Sequence, residues 1–182
     1  SVSPEDGSFL WEHEWTVPGM CRVIQPLVVP TDESSSTIFI GTGYGVGTRS
    51  ILVTKVDDEW DIEENWTSRH LKPYFNDMVL YDGHIYGFDG IMFTCIDTET
   101  GKRKWKKRGY GHGQVLLLKD QQLLLILSES GELALVEAQP GEAKELAKMS
   151  ALTGKTWNHP VIAHGKLFVR NGEEAVCYDL TN

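Results

Sequence analysis

Cys95–Trp105, CIDTETGKRKW, reads as a strand that ends at Asp97, a tight turn over Thr98 to Gly101, and a return strand carrying Trp105. Only glycine enters positive φ without penalty, so a Thr-rich, acidic turn closed by Gly lets two antiparallel strands reverse. The stretch is therefore one hairpin of a larger β unit, and the chain repeats that unit. Residues 82–90 (DGHIYGFDG) align with residues 164–172 (HGKLFVRNG), turn for turn and strand for strand. Residues 119–131 give a third copy, and residues 36–41 (STIFIG) a more degenerate fourth. The copies recur every forty to fifty residues or so, the period of a four-stranded propeller blade, and none has a helical pattern.

The expected fold is all-β: a β-propeller of about four antiparallel four-stranded blades in one domain, residues 1–182. The blades are placed at residues 22–67, 75–108, 112–147 and 157–180. Residues 9–17 (FLWEHEWTV) alternate as a strand does, and Trp11 follows Gly7 by four residues, as Trp105 follows Gly101. Residues 175–180 (AVCYDL) match the first half of the same hairpin. The N-terminal strand, residues 8–17, is thus expected to complete the last blade, which would remove an exposed sheet edge.

Seventeen basic against twenty-six acidic residues give a net charge of −9. That disfavours a nucleic-acid groove or an anionic membrane surface. No apolar run approaches the roughly twenty residues of a membrane span. Cys95 and Cys177 each precede an aspartate, Asp97 and Asp179, by two residues, so they hold one structural position in two blades. Equivalent positions in separate blades lie apart, which disfavours a disulfide. With Cys21, they are expected to be small buried hydrophobes.

Two motifs invite functional readings that their surroundings disfavour. Gly41, Gly43, Gly45 and Gly47 suggest a phosphate cradle, but the following residues 51–56 read as strand where a helix N-terminus is required, so a flexible inter-strand loop is expected. The acidic run at residues 57–64 lacks the spacing of a calcium loop and reads as a solvated hairpin tip, with Trp66 in the core. The paired leucine runs at residues 116–118 and 123–127 fit strands buried on both faces.

The one constellation that resembles a site comes from the entries to the first strands, which line a propeller's channel. Asn76 and Asp77, His112 and Gln114, and Asn158 and His159 precede these strands in three repeats, with Gln25-Pro26 in the first. Such groups either hydrogen-bond neighbouring blades or form a small-molecule or peptide site. His112, His159 and Asp77 could supply acid–base chemistry, but nothing orders them into a triad and no nucleophile motif accompanies them.

Asp97, Thr100, Gly101, Lys102 and Trp105 resemble the D-x-x-T-G-K-x-x-W docking motif of PQQ-like β-propeller repeats, the superfamily of BamB and the quinoprotein alcohol dehydrogenases. Cys95 takes the small-residue position of that motif, while in the third repeat Glu137 stands for Asp and Glu145 for Trp. Trp11 and Trp66 are expected to serve with Trp105 as docking tryptophans. Overall the chain resembles the C-terminal half of bacterial PQQ-binding-like propeller proteins, which implies an exported, periplasmic or secreted location. Quinoprotein dehydrogenases hold PQQ against a Trp and adjacent cysteines, with calcium nearby. No adjacent Cys pair occurs here. The resemblance therefore implies a non-enzymatic scaffold for protein or peptide partners with no cofactor, and PQQ with calcium is the alternative. Family members usually have seven or eight blades, so four blades imply missing N-terminal blades, a small closed ring or a homodimer.

Overall fold

The structure is a computed structural model that describes residues 1–17 and 23–181; Cys21 lies outside the described residues. Among the described residues there are fifteen strands and no helix, arranged as four antiparallel meanders in chain order. Blade 1 is β1 (Leu27–Pro30), β2 (Ser35–Thr42), β3 (Gly47–Val56) and β4 (Glu59–Ser68). Blade 2 is β5 (Val79–Tyr81), β6 (His84–Asp89), β7 (Met92–Asp97) and β8 (Arg103–Lys107). Blade 3 is β9 (Gln114–Leu118), β10 (Leu123–Leu127), β11 (Glu132–Glu137) and β12 (Glu145–Ser150). Blade 4 has three strands, β13 (Val161–Ala163), β14 (Lys166–Arg170) and β15 (Ala175–Asp179).

The turns follow from the residues that form them. Asp82-Gly83 and His164-Gly165 both sit at positive φ, 45° and 70° in one pair and 50° and 70° in the other. Two consecutive left-handed residues make the two-residue hairpin turn whose twist matches that of the flanking strands. Asp57 and Asp58, also left-handed, close the β3–β4 hairpin, so the acidic run does cap a hairpin tip. The glycine loop before β3 departs from expectation. A Cβ on Gly43 would lie 3.0 Å from the Tyr74 Cα, and one on Gly47 only 2.1 Å from the Ser68 carbonyl oxygen. Its glycines permit close packing against the loop into blade 2, and the loop is not a loose spacer.

The core lies between blades. Leu124 and Ile126 of β10 join a cluster with Tyr86, Phe93 and Trp105 of blade 2, whereas Leu125 and Leu127 pack with Leu167 and Val169 of blade 4. An uninterrupted leucine run is what a strand buried on both faces requires, and each such side chain contributes about 1.5–3 kcal/mol by leaving water. A third cluster, Phe39, Leu71, Met78, Ile85 and Ile96, joins blades 1 and 2.

Three expectations are corrected. Residues 9–17 do not complete the last blade: among the described residues, their one ladder contact is an isolated bridge from Phe9 to Val2. The segment instead lies over the far face of blade 1, where the Arg49 guanidinium stacks 4.5 Å from the Trp15 ring and its Nη1 lies 3.0 Å from His13 Nε2. Cys177 is consequently exposed on β15, while Cys95 is buried and its thiol is pushed up to about 12 by burial. Finally, Glu145 does not hold the tryptophan position of blade 3. The Asp97 amide donates to Lys102 and the Glu137 amide to Lys144, so a turn two residues longer moves that position to Ala147, which pairs with Leu135 as Trp105 pairs with Cys95.

Candidate functional site

The docking motif is a latch between blades. Within the blade-2 turn, Asp97 Oδ1 accepts hydrogen bonds from the Thr100 hydroxyl at 2.8 Å and from the amides of Thr100 and Glu99 at 2.9 and 3.1 Å. Burial would raise its pKa, but these hydrogen bonds outweigh it and hold the carboxyl below the usual range. The turn so fixed points the Thr98 carbonyl at blade 1, where the Trp66 indole N–H donates to it at 3.0 Å. Trp105 repeats the contact one blade on, donating at 2.8 Å to the Gln139 carbonyl. Gly101 is required by both constraints: φ is +65°, and a Cβ would lie 2.7 Å from the Trp66 ring. Lys102 contributes its amide, 3.3 Å from the Thr100 hydroxyl. Ala147 has no side-chain donor, so blade 3 lacks an indole at the motif's tryptophan station; Asn171 Nδ2 donates to the Thr153 carbonyl and the Tyr178 hydroxyl to that of Ala151.

The mouth residues fall into two groups. Asn76 and Gln114 are buried struts: Asn76 Nδ2 donates to the Gly113 carbonyl of the next blade, and Gln114 Nε2 to the Trp157 carbonyl at 3.0 Å. Asp77 and His159 instead meet at the surface, His159 Nε2 lying 3.2 Å from Asp77 Oδ2, while Asp77 Oδ1 accepts the Gln25 amide at 2.9 Å. One carboxylate thus joins blades 1, 2 and 4. Asn158 is half-buried beside them, as is His112. Asn76 Oδ1, Gln114 Oε1 and His112 Nδ1 are buried with no hydrogen-bond partner among the described residues.

Around this mouth runs an arc of rings that the polar pattern alone did not single out. Tyr44, in the β2–β3 turn, donates its hydroxyl to that of Tyr74 at 2.7 Å, with ring centroids 4.7 Å apart. Tyr74 contacts Phe75 at 5.6 Å, and Phe75 contacts Trp157 at 5.2 Å and His112 at 6.0 Å. Tyr44, Tyr74 and Trp157 are 49%, 39% and 47% exposed. Trp157 is held from two sides: Lys155 Nζ lies 4.3 Å over its ring, and its indole donates to Glu129 at 2.9 Å. That hydrogen bond leads the interactions that hold the Glu129 carboxyl below its usual range. The available signal was a set of large aromatics in loops that enter or cap strands.

PQQ with calcium, the alternative, would need a set of oxygen ligands at the mouth. Calcium takes six to eight oxygens. Asp77 is already engaged by Gln25 and His159, and no group of three or more His, Cys, Asp or Glu stands close enough to hold a metal among the described residues.

Four meander sheets, joined by indole latches at two of their three junctions, define a β-propeller of PQQ-like repeats. Residues 1–182 match the family described as outer membrane protein assembly factor BamB, and the chain belongs to that family. In three dimensions it is similar to BamB from Moraxella catarrhalis, with a TM-score of 0.63 and 13% identity over 96% of this chain and 51% of that one. It is similar as well to the computationally designed Ika4 protein, with a TM-score of 0.61 and 8% identity over 96% of this chain and 99% of that one. AztD from Citrobacter koseri gives 0.51 and 12% identity over 86% and 56%. At these identities the likeness establishes the fold. The chain spans about half the length of the Moraxella protein. No curated protein matches by sequence. No helix of the described residues is long and apolar enough to cross a membrane.

Proposed function

We propose that the chain is a non-enzymatic scaffold, exported from the cytoplasm, that presents the mouth face of the propeller to an extended segment of a partner protein. The observation that carries this reading is the exposed aromatic arc from Tyr44 through Tyr74 and Phe75 to Trp157. Aromatics offer large, stiff contact area at low entropic cost, and they are enriched where protein partners bind. The unpartnered oxygens of Asn76 and Gln114 and His112 Nδ1 add polar directions beside the apolar rings, the mixture that concave sites use to fix a ligand's orientation. Membership of a family described as an assembly factor supports a partner-binding role.

The test is a selection of displayed peptides against the purified chain, followed by titration of the selected peptides against variants. Tyr74→Ala and Trp157→Ala should each weaken binding at least tenfold while the circular dichroism spectrum stays unchanged. Peptides that bind both variants as tightly as the parent would overturn the reading. So would a rise in melting temperature with PQQ and calcium.

A further inference from the structure

One loop, residues 69–75, carries Tyr74 and Phe75 of the aromatic arc at one end and part of a cation cluster at the other. The cluster is built on Asp89, which ends β6 and whose side chain is only 4% exposed. Lys72 Nζ pairs with its Oδ1, while Lys106 Nζ and Arg103 Nη2, both from β8, lie 3.5 and 3.9 Å from its Oδ2. Arg103 Nη2 also lies 3.1 Å from His70 Nδ1. Among the described residues, no other carboxylate forms an ion pair with these three cations. One cation neutralises one carboxylate, so three converging on Asp89 leave positive charge to be matched from outside. Arg69 adds to it, its Nε donating at 3.0 Å to the carbonyl of Gly45, the residue after Tyr44.

β8 is the outer strand of blade 2, and lysines on such a strand can serve only to keep an open edge from pairing with other chains. That role needs side chains in solvent, where Lys104 stands. Lys72, Arg103 and Lys106 are instead half-buried and turned back onto Asp89. They are fixed before a partner arrives, which spares it the cost of ordering them. The far end of the arc differs. Around Trp157 one carboxylate, Glu129, accompanies one cation, Lys155, and Asp77 faces His159. The rings thus run from surplus positive charge at Tyr44 and Tyr74 to balanced charge at Trp157.

We propose that the segment received at the mouth is acidic where it passes Tyr44 and Tyr74, its carboxylates pairing with Arg69, Lys72, Arg103 and Lys106, and apolar where it reaches Phe75 and Trp157. The proposal rests on the partner-binding reading of the mouth and adds the chemistry of the partner. Eight of the seventeen basic residues lie at residues 69–72 and 102–108, although the net charge is −9. The rest of the surface is therefore strongly acidic. It repels a long polyanion such as nucleic acid, while a short acidic segment meets only the cluster.

Peptides selected on display against the chain, then synthesised and titrated by fluorescence anisotropy, test the proposal. Their sequences should be rich in Asp and Glu beside aromatic or aliphatic residues. Exchanging those acids for Asn and Gln should weaken binding about tenfold, and raising salt from about 50 to about 500 mM should weaken it comparably. Arg69→Gln combined with Lys106→Gln should remove the advantage of the acidic peptides with an unchanged circular dichroism spectrum. Lys104→Gln, on the same strand but outside the cluster, should preserve it. Selected peptides that Tyr74→Ala weakens but that carry no acids, or whose affinity ignores both salt and the double variant, would overturn this proposal and leave the reading of the mouth standing. Peptides indifferent to Tyr74→Ala would overturn both. An equal loss in Lys104→Gln, or competition by single-stranded DNA as strong as that of the unlabelled peptide, would overturn the assignment to an acidic protein segment.

Discussion

β10 and β14 occupy the same station in adjacent blades, yet four of the five residues of β10 are buried while β14 alternates between buried and exposed. Local sequence does not produce that difference, since both strands follow a short polar turn and both are apolar at their centres. Neighbours produce it: β10 has a blade on each side, and β14 has one. A propeller strand is therefore specified by two interfaces, and losing one converts a core strand into an amphipathic one.

The contrast predicts a graded series of mutational costs, all measurable as unfolding free energies from denaturant melts. Trp105→Ala removes a buried ring and the hydrogen bond to Gln139 at the doubly covered junction, and should cost about 3–5 kcal/mol. Leu167→Ala, on the covered face of blade 4, should cost about 2–4 kcal/mol, whereas Phe168→Ala one residue on should cost less than about 1 kcal/mol. Equal costs for that pair would break the comparison. Asn76→Ala leaves the Gly113 carbonyl without its donor and should cost about 1–3 kcal/mol, which makes it a poor probe of partner binding. The smallest effect concerns pH. The Asp97 carboxyl is held below its unfolded value, so its contribution is present above about pH 4 and is lost as pH falls through the lowered pKa. Asp97→Asn should lower stability slightly at every pH above about 4 and flatten the acid limb of the profile, leaving the slope above about pH 6 unchanged.

The repeat carried most of the fold because it is written in residues with strong local meaning. Asp82-Gly83 and His164-Gly165 align in sequence and adopt the same left-handed pair of turn residues. What stayed hidden depended on distance. Residues 9–17 alternate as a strand should, but alternation does not name the surface that receives them, and among the described residues they lie against Arg49 of blade 1 and not in a sheet. Ala147 replaces Glu145 at the tryptophan station because the loop lengthened by two residues, a shift that counting from Glu137 cannot detect. The polar half of the mouth was legible in the residues before each first strand, although Asn76 and Gln114 turned out to be struts. The aromatic half was not, because Tyr44 and Trp157 come from different blades and meet Tyr74 and Phe75 only once the loops fold together.

Every sheet among the described residues is built from consecutive strands. Ladder partners are consequently close along the chain, as in Cys95 with Trp105 or Tyr81 with His84. Loop closure then costs little for each pairing, and the rate of folding is freed from the long-range searches that slow sandwiches and closed barrels. One blade can condense before the next has left the ribosome, and each finished face offers the template on which the following forty or so residues settle.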